Sequence, residues 1–376
     1  MKLKPRRIMS YYSNRIYWLD NLRTFMIFLV VVIHSATVYE KYSMGSEWWI
    51  VIDPSNSDLN GILFLILNIF VMATIFLVSG YLVPSLFKNK TNWQFILSKF
   101  NRIMIPWFIA VLILIPLYKV IFLYSRNLPQ ENWLTYFHWN SLWSQNWLWF
   151  LPVLFLFDLV YLLFKNISTE SISLKKSIWI ALAVCFLYSF SMDYFGLHGW
   201  TKTVLIDFQN ERLLIYFAVF IFGSQLYKLN FFGDSKIRKK TNTIIHSLGW
   251  LPINLYIFLI IYSLIYPNNY IVNKIIHISI VRICFTLSLA YLIFVMVTIF
   301  WNSLNKTGKL IRILNSNSYG VYIIHVILIG VISAMLLNIE IHHFLKFIIT
   351  IISSYTISNI VVFIYINTIK KTIFKK

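Results

Sequence analysis

The sequence predicts an all-α integral membrane protein, a bundle of about ten transmembrane helices with both termini in the cytoplasm. Two observations support this fold class. First, 59% of the 376 residues are hydrophobic and only 12% are charged, whereas soluble domains contain roughly 45–50% apolar and about 25% charged residues. Second, the apolar residues are grouped in runs of ~20, the length that an α-helix needs to cross a bilayer.

Short connections join these apolar runs along the whole chain. Because no connection is long enough for a separate soluble domain, we interpret residues 1–376 as one transmembrane domain, with a basic N-terminal segment at 1–16 and a basic tail at 370–376. The first run is too long for the apolar part of a signal peptide, so we expect it to be an uncleaved span. The predicted spans are residues 17–38, 60–86, 103–124, 147–164, 177–192, 212–228, 244–266, 279–301, 317–338 and 345–369.

The net charge of +20 raises the question of nucleic-acid binding. Most of the 33 lysines and arginines, however, lie in the two terminal segments and in every second connection, while the alternate connections hold most of the acidic residues. By the positive-inside rule, this alternation predicts cytoplasmic termini, an even number of spans and a multi-pass protein of the cytoplasmic or inner membrane. The charge is therefore explained by the lipid bilayer, and no nucleic-acid partner is expected.

Two ionisable residues of the first span lie on one helix face. Arg23 and His34 are eleven residues apart, which at 100° per residue is three turns plus about 20° and about 16 Å along the axis. Asp20 precedes Arg23 by three residues and can pair with it. Ionisable groups inside a span usually face a cavity or a partner. The alternative is that Arg23 extends to the inner interface and His34 only fills a packing contact.

The second and third spans add three polar candidates. Ser79 precedes a glycine near the end of the second span, where small residues allow close helix packing or local unwinding. Lys99 and Arg102 stand three residues apart at the start of the third span. Two such cations either extend to the membrane interface or bind an anionic phosphate group. Asp158, inside the fourth span, requires a polar partner that the sequence does not identify.

The later spans contain further polar residues. Arg212 follows Glu211 at the outer start of the sixth span, where both are either solvated or face a polar substrate. In the ninth span, Ser318, Tyr322 and His325 are spaced by four and then three residues, so they share one helix face. The two cysteines, Cys185 and Cys284, lie inside apolar runs, so neither a disulfide framework nor a metal site is expected.

Five short motifs, taken in order, resemble the acyltransferase-3 family of polytopic membrane acyltransferases. They are LDNLRTFMIFLVVVIH in the first span, FLVSGYL in the second, a basic pair followed by PW at the third, LWFL at the fourth and SYGVYIIH near the end. The resemblance covers nearly the whole chain. Within the family, the chain is most similar to the branch that succinylates periplasmic glucans. The resemblance implies a ten-span enzyme that moves an acyl group from cytoplasmic acyl-CoA to a hydroxyl group of an extracytoplasmic glycan.

The resemblance also assigns site residues. The Arg and His of the family's first span correspond to Arg23 and His34, and its basic pair at the third span corresponds to Lys99 and Arg102. The family commonly has two arginines at this pair, and lysine at position 99 loses bidentate geometry toward a phosphate. Acyl-CoA is then a substrate, and no permanently bound cofactor is implied.

Acyl transfer to a sugar hydroxyl needs a base and a means to stabilise the oxyanion. Histidine suits proton transfer near neutral pH, so we hypothesise that His34 is the general base and that Arg23 orients or electrostatically supports the site. Lys99 and Arg102 would hold the phosphates of coenzyme A. The expected lining of the cavity comprises Ser79, Arg212, Tyr322 and His325. Direct transfer and a covalent acyl-enzyme both remain open.

The main alternative is a multi-span transporter or exporter of a glycan or a lipid-linked sugar. Such proteins commonly carry paired repeats with broken helices. The motifs of this chain are not duplicated, and its intramembrane charges concentrate in the first third. The sequence therefore favours the enzyme. It leaves open the acceptor, acetyl against succinyl as the acyl group, and the oligomeric state.

Overall fold

The structure, a computed structural model, describes residues 16–41, 48–88, 90–136, 145–165, 172–234, 239–267 and 269–369. The basic N-terminal segment and the basic tail thus lie outside the described residues, except for Ile16. The described chain is mainly helical, with only two short strands.

The described residues form thirteen α-helices. They are α1 (Tyr17–Ala36), α2 (Asp58–Phe87), α3 (Asn92–Lys99), α4 (Ile105–Ser125), α5 (Phe150–Phe164), α6 (Leu174–Tyr194), α7 (Leu213–Lys228), α8 (Phe231–Asp234), α9 (Lys239–Leu248), α10 (Trp250–Ile265), α11 (Lys274–Ser303), α12 (Lys309–Leu336) and α13 (His343–Ile364). A π-helical turn (Phe100–Met104) joins α3 to α4, a 3-10 turn (Asn146–Trp149) precedes α5, and a second π-helical turn (Tyr365–Ile369) follows α13. A further 3-10 turn spans Trp133–Tyr136, and strands β1 (Trp200–Thr201) and β2 (Phe208–Gln209) pair antiparallel.

Nine helical segments of the described chain are long and apolar enough to cross a membrane, and α7 is a shorter apolar helix. Together they coincide with the ten apolar runs of the sequence, which confirms the all-α membrane fold. We call the end of the bundle that holds the N-terminus of α1 the inner end, and the opposite end the outer end.

Several helices begin at residues that cap them. The Ser57 hydroxyl accepts a hydrogen bond from the Leu59 amide at the start of α2, and Thr91 and Gln94 form a reciprocal capping box at α3. At the start of α11 the Asn273 side chain accepts a hydrogen bond from the Ile276 amide. Such side chains satisfy amide groups that lack partners in the first helical turn.

Helix α2 packs against α7 through two glycines. A Cβ atom added at Gly80 would lie 1.9 Å from the Phe220 carbonyl oxygen, and one at Gly223 would lie 2.3 Å from the Leu77 carbonyl oxygen. The two backbones therefore approach too closely for any side chain at these positions. Close helix packing, one of the two roles that the sequence suggests for the glycine after Ser79, is the one that the structure shows.

Candidate active site

Helices α1 and α12 run parallel and share polar contacts at both ends. At the inner end Arg23 contacts Asn315, and at the outer end His34 contacts His325. Both α1 residues thus face α12, as the eleven-residue spacing predicts. The same spacing separates the two contacts by about 16 Å along the axis of α1.

The inner contact is a network of amides around a partly exposed arginine. Arg23 pairs with Asp20 at 3.2 Å, which confirms the expected pair, and its Nη2 lies 3.5 Å from the Asn315 carbonyl oxygen. The Asn315 amide donates to Asn21 Oδ1 at 2.8 Å and accepts from the Thr24 hydroxyl at 2.7 Å. This network joins α1 to α12 and does not contact His34.

The outer contact is a chain of hydrogen bonds that fixes the ring protons of two histidines. His325 is fully buried, and its Nδ1 lies 2.7 Å from the Tyr322 carbonyl oxygen. Because a carbonyl oxygen only accepts, this Nδ1 donates, and Nε2 of the neutral ring carries the lone pair. His34 Nδ1 lies 2.7 Å from that Nε2 and must donate to it. The lone pair of His34 is therefore on Nε2, the atom that can accept a proton from a substrate.

Aromatic side chains enclose the two histidines. The Trp49 ring lies 4.9 Å from the His34 ring between centroids, and Tyr118 contacts the rings of Trp49 and Trp147. The Tyr322 hydroxyl donates to the Trp147 carbonyl oxygen, and the Trp147 indole donates to the Ile323 carbonyl oxygen at 3.0 Å. These contacts hold the turn before α5 against α12, beside the histidine pair.

The chain directly before α2 folds back into the outer end of the bundle. We call residues 48–57 the inserted loop. Trp49, Ile50 and Val51 of this loop are buried, and a Cβ atom at Gly330 of α12 would lie 2.3 Å from Ile50 Cδ1. The glycine thus provides the space that Ile50 occupies, and this places Trp49 over His34.

A buried ion pair anchors the inserted loop to α13. Lys346 Nζ lies 2.8 Å from Asp53 Oδ2, with both side chains at most 3% exposed. Asp53 Oδ1 accepts from the Ser55 amide at 2.8 Å, and the Asp53 amide donates to the Val38 carbonyl oxygen at 3.0 Å. The loop therefore has a fixed conformation at the site.

Two residues at the outer end hold buried side-chain donors whose hydrogen bonds are not completed within the described chain. One is Trp49, whose ring packs on His34 and whose Nε1 is buried, and the other is Asn146, whose side-chain amide neighbours the Tyr118 hydroxyl. Asn146 also has a left-handed backbone with φ of 47°, a conformation that is sparsely populated for residues other than glycine and that clusters at functional sites. Such groups can donate to a carbonyl oxygen of a bound substrate.

Lys99 and Arg102, the basic pair at the third span, have different environments in the structure. Lys99 Nζ lies 2.9 Å from Asp158 Oδ2, so Lys99 is the partner that the buried Asp158 requires. The π-helical turn begins directly after Lys99, which rotates Arg102 away from the face expected for an α-helix, and Arg102 is exposed. The assignment of both residues to donor phosphates stays a prediction, with Asp158 as a competitor for Lys99.

The remaining predicted lining residues lie in different places. Tyr322 and His325 belong to the outer site. Ser79 is partly buried beside the packing glycine of α2, and no described hydrogen bond joins it to the histidines. Arg212 is not a solvated residue, one of the two expectations for it, since it is only 6% exposed at the start of α7.

Lys202, in the outer loop between α6 and α7, lies 5.5 Å from the centroid of the Trp48 ring. Burial lowers the pKa of its ammonium group, and the carboxylate of Asp207 opposes that shift. Trp48 in turn contacts Trp49, which packs on His34. The outer rim of the site is thus aromatic, with Lys202 beside Trp48 and with the Arg126 guanidinium donating to the Trp49 carbonyl oxygen at 2.8 Å.

The sequence did not identify the inserted loop or Asn146 as parts of the site. The left-handed backbone of Asn146 has a weak sequence signal, because asparagine tolerates this conformation better than most residues. The run of apolar residues at 48–51 in an acidic outer connection was the available signal for the loop.

Comparison with known proteins gives one match. The sequence model of the acyltransferase-3 family, described as an acyltransferase domain, matches residues 16–365. Searches of curated proteins and of solved structures found no match. Because the match covers nearly the whole described chain and spans both histidines, the chain belongs to the acyltransferase-3 family and is a multi-pass membrane acyltransferase that transfers groups other than amino-acyl groups.

Proposed function

We propose that the protein transfers an acyl group from cytoplasmic acyl-CoA to a hydroxyl group of an extracytoplasmic or cell-surface glycan. The observation that carries this proposal is the hydrogen-bond chain from the Tyr322 carbonyl through His325 to His34. This chain leaves a lone pair on His34 Nε2 at the outer end of the bundle. A buried base held in one tautomer by a second residue is the arrangement that activates hydroxyl nucleophiles in acyl-transfer enzymes.

In the proposed reaction His34 Nε2 removes the proton of the acceptor hydroxyl as its oxygen attacks the thioester carbonyl. A carbon–oxygen bond forms, the carbon–sulfur bond breaks, and the proton passes from His34 to the departing thiolate of coenzyme A. His325 accepts from His34 Nδ1 throughout and stabilises the positive charge that His34 carries between the two proton transfers. The buried donors of Trp49 and Asn146 stabilise the negative oxygen of the tetrahedral intermediate.

The inner end of the bundle would receive the donor. Arg102 is exposed there, Lys99 lies beside it in the chain, and the Arg23 side chain is 30% exposed on the same end of the α1–α12 pair. These cations suit the phosphates of coenzyme A. This assignment places Arg23 toward the donor, because its distance from His34 excludes direct contact with the base.

The outer end would receive the acceptor. Partly exposed aromatic rings at this end, among them Trp48 and Trp200, offer apolar faces to a sugar ring. Acetyl is the simplest acyl group and succinyl the next. With the termini on the cytoplasmic side of the cytoplasmic membrane, as the charge pattern favours, this end faces the envelope.

The test is an NMR measurement of alkali-labile acyl esters on surface glycans. A strain that lacks the gene is complemented with wild type, with His34→Ala or with Ser35→Ala, the neighbouring control on α1, at equal membrane abundance. We expect esters with wild type and with Ser35→Ala and none with His34→Ala, and the ester signals will identify the acyl group.

Two other outcomes would change the proposal. Esters that are unchanged between the deletion strain and wild type would rule out acylation of surface glycans and direct the search to another acceptor. Equal restoration by wild type and His34→Ala would retain the enzyme but exclude His34 as its base.

A further inference from the structure

Arg212 is a buried cation without an acidic partner in the described part of the chain. Its side chain is 6% exposed, and neither Nε nor Nη1 makes a hydrogen bond. No described carboxylate lies within ion-pair distance, and the guanidinium instead rests on the Phe285 ring at 4.2 Å from its centroid. The face of a ring compensates only in part for the water that such a charge has lost.

A second arginine, Arg282, also packs near Phe285 but has an acidic partner. Arg282 lies 6.0 Å from the Phe285 centroid and binds both carboxylate oxygens of Asp193, each at 2.5 Å. Glu211, the residue before Arg212, offers its carboxylate elsewhere, to the Gly199 amide at 3.0 Å and to Gln209 Nε2 at 2.5 Å. The acidic residues near Arg212 are thus committed to other groups.

The position of Arg212 adds a second feature that favours an anion. Arg212 is the N-cap residue of the sixteen-residue helix α7, and no side chain caps this helix. The amide groups at a helix N-terminus point outward and attract negative charge. An anion at this place would meet both the helix terminus and a guanidinium whose planar fork matches a carboxylate or a phosphate.

Aromatic rings connect this position to the proposed acceptor side. The Arg212 amide donates to the Gln209 carbonyl oxygen, and Gln209 pairs with Trp200, whose side chain is 40% exposed. Trp200 contacts Trp149, which stacks on Tyr216, one turn after Arg212. A sugar that packs on the exposed Trp200 ring would lie near Arg212.

We propose that Arg212 binds an oxyanion carried by the acceptor glycan, either the carboxylate of a uronic acid or a phosphate ester. The donor phosphates are assigned to the inner end, whereas Arg212 starts α7 at the outer end. The identity of the glycan as acceptor rests on the proposed function, but its binding can be measured without any transfer reaction.

The experiment measures thermal unfolding of the purified full chain in detergent. The probes are sodium glucuronate, glucose 1-phosphate, sodium succinate and neutral glucose, all at matched ionic strength. The variants are Arg212→Met, Arg212→Lys, which keeps the charge without the fork, and Arg282→Met as the matched control of a paired arginine.

We expect Arg212→Met to have an equal or higher Tm than wild type without ligand, because it removes an unpaired buried charge. Arg282→Met should lower Tm, since it leaves Asp193 unpaired. Glucuronate or glucose 1-phosphate should raise the Tm of wild type by about 2 °C or more, more than succinate or glucose does. This increase should disappear in Arg212→Met and shrink in Arg212→Lys.

The two anionic sugars separate a uronic acid from a phosphate ester as the source of the oxyanion. A loss of Tm in Arg212→Met as large as that in Arg282→Met would overturn the proposal, because Arg212 would then have a structural role. Equal increases in wild type and Arg212→Met, or no increase with either anionic sugar, would also overturn it. If succinate raised Tm more than either anionic sugar did, the anion bound by Arg212 would not be part of the acceptor glycan.

Discussion

The two ends of the α1–α12 pair use polar residues in opposite ways. At the inner end, Arg23 is 30% exposed, pairs with Asp20 and contacts the backbone carbonyl oxygen of Asn315, while the Asn315 side chain bonds to Asn21. At the outer end, His34 and His325 bond to each other beneath a loop that returns into the bundle. The inner contacts resemble a structural network that water can reach, whereas the outer contacts define one tautomer in an enclosed space.

Because of this difference, chemistry is expected at the outer end. In the inner network the side chains of Asn21 and Asn315 each have two or more hydrogen-bond partners, so removing one bond leaves others. The hydrogen bonds of the outer site run in one direction. Each histidine ring has one donor and one acceptor nitrogen, and the last acceptor in the series is His34 Nε2. The largest effects on activity should therefore come from the outer end.

The largest effect is expected from His34→Ala. This substitution removes the proposed base, and acyl transfer should fall by about 10²–10⁴-fold, the typical contribution of general base catalysis. The measurement is the rate of coenzyme A thiol release with acceptor present, in membranes with equal protein abundance. A decrease of less than tenfold in the transfer rate would contradict the proposal that the chemistry takes place at the outer end.

The buried Lys346–Asp53 ion pair is expected to stabilise the inserted loop at the outer site. Lys346→Met should destabilise the protein by about 3–5 kcal/mol, because it leaves the Asp53 carboxylate buried without its cation. The double variant Lys346→Met with Asp53→Asn should recover much of this loss. Thermal unfolding checks both, and equal stability of wild type and Lys346→Met would show that the inserted loop does not depend on the pair.

The role of His325 is expected to be one of positioning. His325→Ala should lower the transfer rate by about 10–100-fold, the cost that is typical when a second residue that orients a functional histidine is lost. His325→Gln, whose carbonyl can still accept from His34 Nδ1, should retain more activity than His325→Ala. Equal rates for the two variants, with an unchanged pH profile of the rate, would indicate that His325 only fills space.

The smallest effect is expected at the inner end. Asp20→Asn removes a partly exposed ion pair and should change the free energy of unfolding by less than about 1 kcal/mol, with transfer nearly unchanged. Arg23→Gln should raise KM for acyl-CoA while kcat changes little, because Arg23 is proposed to face the donor. A fall in kcat as large as that of His34→Ala would contradict the division between the two ends.

Sequence alone could predict the spans and the shared face of Arg23 and His34, because hydrophobic run length and helical periodicity are local properties. The Asp20–Arg23 pair is likewise a local contact on one helix. The partner of Asp158 could not be predicted, since Lys99 is 59 residues away and the contact depends on how helices pack. For the same reason, the shared face of Tyr322 and His325 was predictable, but not which of the two meets His34.

The irregular segments of the site could not be predicted from the sequence either. The π-helical turn after Lys99 changed the relation of Lys99 to Arg102, because it adds residues to a turn without a strong sequence signature. The inserted loop depends on the fit of Ile50 against Gly330 and on the distant Lys346. Such contacts are set by tertiary packing and become visible only in the structure.

The assignment of His34 as the base depends above all on where the ring protons of the histidine pair lie. Nitrogen-15 NMR of histidine-labelled protein in lipid, with His34→Gln and His325→Gln used to assign the signals, locates these protons. We expect both rings to be neutral at pH 7.5 with protonated Nδ1, so that His34 Nε2 has no proton. A proton on His34 Nε2, with Nδ1 unprotonated, would contradict the proposed base.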